Sequence, residues 1–90
     1  MILISYDISN DKLRSKFSKF LKKYGNRLQY SLFQIKNSER ILNLIEIEIK
    51  NNFEKHFEEA DSIYIYRIPK NCNITKYGYA SHEDDEFIII

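Results

Sequence analysis

The chain opens on an alternating apolar run, Met1-Ile-Leu-Ile-Ser-Tyr-Asp-Ile-Ser9, which ends in one carboxylate and passes directly into helix-capping residues. So short a run with period-two alternation reads as a strand over residues 2–8. Alternation puts Ile2, Ile4, Tyr6 and Ile8 on one face and Leu3, Ser5 and Asp7 on the other. Both faces are apolar near the start, which suits a central strand. Ser9, Asn10 and Asp11 then offer side chains that cap a helix.

Everything downstream reads as packing around that strand. A helix is expected over about 11–24, because Leu13, Phe17, Phe20, Leu21 and Tyr24 form one apolar stripe. Lys12, Lys16, Lys19 and Lys23 repeat the spacing one step earlier, giving a basic flank. Gly25 is expected to close the helix as a left-handed cap. Residues 27–35 read as a second strand, with Arg27, Gln29, Ser31, Phe33 and Ile35 on one face and Leu28, Tyr30 and Leu32 toward the core. Asn37 and Ser38 form a turn and cap, and a second helix runs from about Glu39 into the fifties, with the stripe Ile41, Leu42, Ile45, Ile49 and Phe53. Residues 44–49 also alternate like a strand, but the helical period persists for more than three turns. A third strand is expected over 62–68 before Pro69, and a short one over 74–80. An acidic connector, 81–86, precedes the apolar tail Phe87-Ile-Ile-Ile90. A tail of that kind needs a sheet edge, in its own chain or in a partner.

The order βαββαβ is the split βαβ, or ferredoxin-like, α+β plan, an antiparallel sheet with two helices on one face. The other face would expose Leu3, Ser5, Asp7, Gln29, Ser31, Phe33, Tyr64 and Tyr66, a surface that predicts burial by a second copy or another protein. Ninety residues make one small domain, 1–90, with a core over 1–68 and a C-terminal strand or docking tail over 69–90. No apolar run approaches the roughly 20 residues of a membrane span, and no signal-peptide pattern opens the chain. The single cysteine, Cys72, has no disulfide partner and no ligand neighbour at zinc spacing. A cytoplasmic protein without membrane association is the expectation.

The net charge of +1 hides a segregation. Residues 1–36 carry eight basic and two acidic side chains, a balance of +6; residues 37–90 carry six basic and eleven acidic, a balance of −5. A basic half of this kind suits a polyanion, and interleaved aromatics suit nucleic-acid backbone contact; a plain solvated helix face would look the same. No Gly-rich phosphate loop, nucleophile elbow or His/Cys cluster is present. His56, between Phe53 and Phe57, reads as structural, and His82 lies in the acidic stretch. Asp7 stands at the end of the strand either as a ligand for Mg2+ or Mn2+ or as a turn-forming carboxylate. One carboxylate is a poor metal site, whereas two brought together by a twofold axis would be better. Arg14 and Arg27 flank the same end of the sheet, where they could hold phosphates or neutralise a carboxylate.

Tyr6-Asp7-Ile8-Ser9, Leu13-Arg14 with a Lys-rich helix, and Tyr24-Gly25-Asn26-Arg27-Leu28-Gln29-Tyr30-Ser31-Leu32-Phe33 together resemble the CRISPR-associated Cas-two family. The resemblance extends over the second helix and Asp61-Ser-Ile-Tyr-Ile-Tyr-Arg-Ile68, about three quarters of the chain. It implies a homodimer with the open sheet faces together and one Mg2+ or Mn2+ ion shared by Asp7 and its symmetry mate. It also implies metal-dependent endonuclease activity on RNA or double-stranded DNA, with Asp7, Tyr6, Arg14, Arg27 and Phe33 as the catalytic set. It implies a scaffold role in CRISPR spacer acquisition, bridging the Cas-one integrase, with Lys12, Arg14, Lys16, Lys19, Lys23 and Arg27 on the nucleic acid. Gln34 replaces the glutamate usual in that family after the second-strand phenylalanine. The alternative is a non-catalytic ferredoxin-like dimer that binds a small ligand or another protein.

Overall fold

The structure is a computed structural model that describes residues 1–78. Strand β1, Ile2–Asp7, is followed by helix α1, Asp11–Lys22, and strands β2, Gly25–Gln29, and β3, Leu32–Ile35. Helix α2, Glu39–Glu48, continues through a π-helical turn, Ile49–Phe53, and a 3-10 turn, Glu54–His56, before β4, Ser62–Arg67. The sheet order is β2-β3-β1-β4, antiparallel throughout, so β1 is central as its two apolar faces suggested. This is the ferredoxin-like βαββαβ plan.

The helices form where capping and apolar period agree. The Asn10 side chain accepts from the Leu13 amide at 2.9 Å, and Asp11 sits in the first turn where the helix dipole favours an anion. Leu13, Phe17 and Leu21 bury the α1 stripe against Ile2, Ile4, Tyr6 and Ile8. Phe17 meets Tyr6 and Phe53 edge-on, each at 5.0 Å between ring centres. Ser38 caps α2 through the Ile41 amide at 3.3 Å, and Leu42 and Ile45 are fully buried. The strand-like alternation of 44–49 arises because Leu44 and Ile47 lie on the exposed side of the helix.

Three expectations are corrected. Helix α1 stops at Lys22, and Gly25 is the first residue of β2, with no left-handed conformation. Its glycine has a different cause, since a Cβ there would lie 2.0 Å from the Gln34 carbonyl oxygen of the paired strand. The expected single strand over 27–35 is a hairpin turning at Tyr30-Ser31, with a bulge between Arg27 and Gln29. The face expected for β3 is also reversed: Phe33 and Ile35 pair with Ile4 and Ile2 and lie in the core, Phe33 at 0% exposure, not on the open face. Residues 74–78 form no strand. The remainder of the expected 74–80 strand, the acidic connector with His82 and the Phe87–Ile90 tail lie outside the described residues.

β4 faces as expected. Ile63 and Ile65 pack on the core, while Tyr64 and Tyr66 are exposed and stack on each other at 6.2 Å. The β1–β4 pair closes at its far end by reciprocal bonds between Met1 and Ile68, the Ile68 amide donating to the Met1 carbonyl at 2.7 Å and the Met1 amine to the Ile68 carbonyl at 3.0 Å.

Candidate nucleic-acid interface and the Asp7 corner

Asp7 is the last residue of β1, exposed and paired opposite Ser62 on β4. Alternation along β1 puts it on the sheet face of Leu3 and Ser5, away from the helices. That face also carries Leu32, Tyr66 and Ile68, which with Tyr30 line a shallow hollow of about 590 Å³. Ser5 Oγ donates to Tyr66 Oη at 3.4 Å across it. Tyr30 and Tyr64 are 67% and 60% exposed, so the aromatic surface expected there is present although Phe33 has left it.

Neither of the two arginines expected beside Asp7 is paired with its carboxylate. Arg14 donates from Nη1 to the Ile8 carbonyl at 2.9 Å and forms an ion pair with Asp11. Its bond to the Asp11 carboxylate, partly opposed by burial, raises its already high pKa. Arg27 donates to Ser18 Oγ and lies over the Phe33 ring, its guanidinium carbon 5.3 Å from the ring centre. Its Nε is buried without a partner. Phe33 therefore stands beneath Arg27 as a core residue. Tyr6 is buried as well, with its hydroxyl donating to the Tyr30 carbonyl at 3.4 Å.

Arg14, Ser18, Lys19, Lys22, Arg27 and Tyr30 line a cavity of about 250 Å³ between α1 and the β2–β3 hairpin. Lys12, Lys16, Lys19 and Lys23 are exposed along α1, and the first three border a second, open groove with Asp11 and Ser15. The basic surface thus belongs to the helix side, whereas Asp7 belongs to the open side. Side chains of this kind track phosphates without reading bases.

A family model described as CRISPR associated protein Cas2 matches residues 1–75. The chain belongs to the Cas2 family. It is 30% identical over 90 residues to a protein of Methanospirillum hungatei named CRISPR-associated endoribonuclease Cas2 2, covering 98% of this chain and 97% of that one. Among solved structures, a hypothetical protein from Thermus thermophilus superposes with a TM-score of 0.70 at 26% identity, over 88% of this chain and 93% of that one. The fold of Streptococcus pyogenes Cas2 matches with a TM-score of 0.64 at 24% identity, over 78% and 87% of the two chains.

Sequence reasoning missed one residue at the Asp7 end of this Cas2 family member. Asp61, just ahead of β4, accepts from the Ser9 amide at 2.9 Å, the Ser9 hydroxyl at 3.0 Å and the Glu58 amide at 2.9 Å. The bonds from the Glu58 and Ser9 amides hold its carboxyl below the ordinary Asp range. An acid immediately before a strand was the only local signal, and its partner lies 52 residues away. His56 is exposed on the 3-10 turn. Among the described residues, no three His, Cys, Asp or Glu side chains gather as a metal site, and no helix is long and apolar enough to cross a membrane.

Proposed function

We propose that the chain is a homodimeric nucleic-acid-binding scaffold of CRISPR adaptation that bridges the Cas-one integrase in the cytoplasm. In this reading paired Asp7 carboxylates also give it divalent-metal-dependent endonuclease activity on RNA or double-stranded DNA. One observation carries the reading: Asp7 is exposed at the end of the central strand, on the face where Tyr64 and Tyr66 lie exposed beside the half-buried Leu3. A second copy seated on that face would cover the tyrosines and bring the two carboxylates toward one another. Mg2+ and Mn2+ favour oxygen donors, and two carboxylates meet that demand better than one. When bound, such an ion supplies a water of lowered pKa for attack on a phosphodiester. The chain's own part is to present Asp7, to hold the strand with the α1 lysines and to keep Arg14 and Arg27 in place beside them. The endoribonuclease name carried by the Methanospirillum hungatei relative supports the enzymatic half.

The test is a Mg2+-dependent cutting assay of wild type and Asp7→Ala on RNA and duplex DNA, run with binding measured in parallel. Loss of cutting with binding retained supports the enzyme. Unchanged spacer acquisition by Asp7→Ala confines the protein to the scaffold role. DNA affinity that does not change with salt would instead favour a dimer holding a small ligand or another protein.

A further inference from the structure

We propose that Asp61 and Arg14 are positioning residues for Asp7, acting together through the peptide unit between Ile8 and Ser9. This inference rests on the reading of Asp7 as the metal-binding carboxylate. The two polar groups of that single peptide are each held by a charged side chain from a different element. Arg14, from α1, donates to the Ile8 carbonyl at 2.9 Å. Asp61, from the approach to β4, accepts from the Ser9 amide at 2.9 Å and from the Ser9 hydroxyl at 3.0 Å. A cation on the oxygen and an anion on the N–H fix the plane of the peptide one residue beyond Asp7.

The need for such a clamp follows from where Asp7 stands. It is the terminal residue of its strand, paired to Ser62 on one side, while the β1–β3 register ends earlier, at Ser5↔Leu32. Strand ends with pairing on one side open readily. The helix cap does not supply the missing restraint, since Asn10 is occupied by the Leu13 amide and leaves Ser9 to an outside acceptor. Asp61 is itself anchored by the Glu58 amide at 2.9 Å, so the acceptor is a fixed one. The β4 ladder at Asp7 and the clamp just beyond it leave Asp7 little backbone freedom. For a site assembled from two copies, small displacements of each carboxylate would add.

The clamp also gives Arg14 a role distinct from touching the substrate. Its guanidinium is engaged by the Ile8 carbonyl and Asp11, so its effect on cutting passes through Asp7.

The experiment uses the full chain as wild type, Asp61→Ala, Asp61→Asn and Arg14→Gln. Amide hydrogen exchange is followed at Ser9, with Ile4 as the internal control, and Mn2+ is titrated while the broadening of the Asp7 resonance is recorded. Asp61→Ala is expected to speed exchange at Ser9 by about tenfold or more with Ile4 unchanged. The Mn2+ concentration for half-broadening should rise by about 10- to 100-fold, with kcat falling and KM held. Asp61→Asn, which keeps an acceptor oxygen for Ser9, should fall between, and it carries the test where the alanine variant does not fold. Arg14→Gln should also loosen Ser9; weakened nucleic-acid binding with Ser9 exchange unchanged would overturn its part. A folded Asp61→Ala that matches wild type in Ser9 exchange and in Mn2+ titration overturns the clamp alone. Wild type whose Asp7 resonance ignores Mn2+ overturns the reading of Asp7 itself.

Discussion

Gly25 shows how a single residue can be fixed for a reason its neighbours do not reveal. Its position after a helix suggests a left-handed cap, yet the backbone there is ordinary β, and the demand comes from the Gln34 carbonyl pressed against it. Because the obstacle is backbone and not a flexible side chain, Gly25→Ala should destabilise the fold by about 1–3 kcal/mol or more, read as a lower denaturant midpoint with an unchanged slope. Asp61 makes a second prediction at this scale. Its folded-state pKa is depressed by the Glu58 and Ser9 bonds, so its contribution is fully present above the unfolded value of about 3.9. That contribution is lost as pH falls through the lower folded-state value. Thermal midpoints of wild type and Asp61→Asn should differ at neutral pH and converge on acidification through that window. A gap that persists at the acid end would contradict this account. Phe33 belongs here too: as a fully buried ring touching Tyr6 and Arg27, it should cost about 3–5 kcal/mol when cut to Ala. If the chain cuts nucleic acid, a loss of cutting in that variant would follow unfolding or a misplaced Arg27.

Helix α1 is the element in which sequence and structure agree most fully. Its cap, its stripe and its basic flank all follow from 3.6-residue spacing, and each is local. If the flank tracks phosphates, replacing Lys12, Lys16, Lys19 and Lys23 by Ala should flatten the dependence of log affinity on log salt. The slope should fall by about 0.9 for each duplex phosphate that is no longer neutralised. The weakening should be nearly equal across sequences, measured by fluorescence anisotropy at several salt concentrations. The hairpin is where reading the chain failed. Leu28-Gln-Tyr-Ser-Leu32 holds no Gly, Pro or Asn to mark a turn, and an unbroken period-two count carries straight through it. The bulge between Arg27 and Gln29 sets Gln29 opposite Leu32, while Arg27 stays paired with Phe33 on the core side. The second helix was legible in its start and stripe, but the π-helical turn at Ile49–Phe53 has no counterpart in the pattern, because a buried Phe53 satisfies an α-helical count equally well.

At the scale of the whole molecule, one side of the sheet is sealed by two helices and the other carries Tyr64, Tyr66 and Tyr30 in the open. A face of that character in a small protein favours self-association. If two copies pair through that face, Leu3→Glu, placing a charge in its middle, should shift dimer to monomer in sedimentation velocity with the circular dichroism spectrum preserved. It should also remove metal-dependent cutting, if the two Asp7 carboxylates work as a pair. The central place of β1, the α1 stripe and the outward facing of Asp7, Tyr64 and Tyr66 were all legible in the chain alone. Each follows from periodicity within one element. The folded molecule was needed to learn that Phe33 lies in the core, that Gly25 answers to a neighbouring strand, and that Arg14 and Asp61 grip one peptide beside Asp7. Those outcomes depend on strand pairing and on partners up to 52 residues apart, and local spacing holds no record of contacts made across the fold.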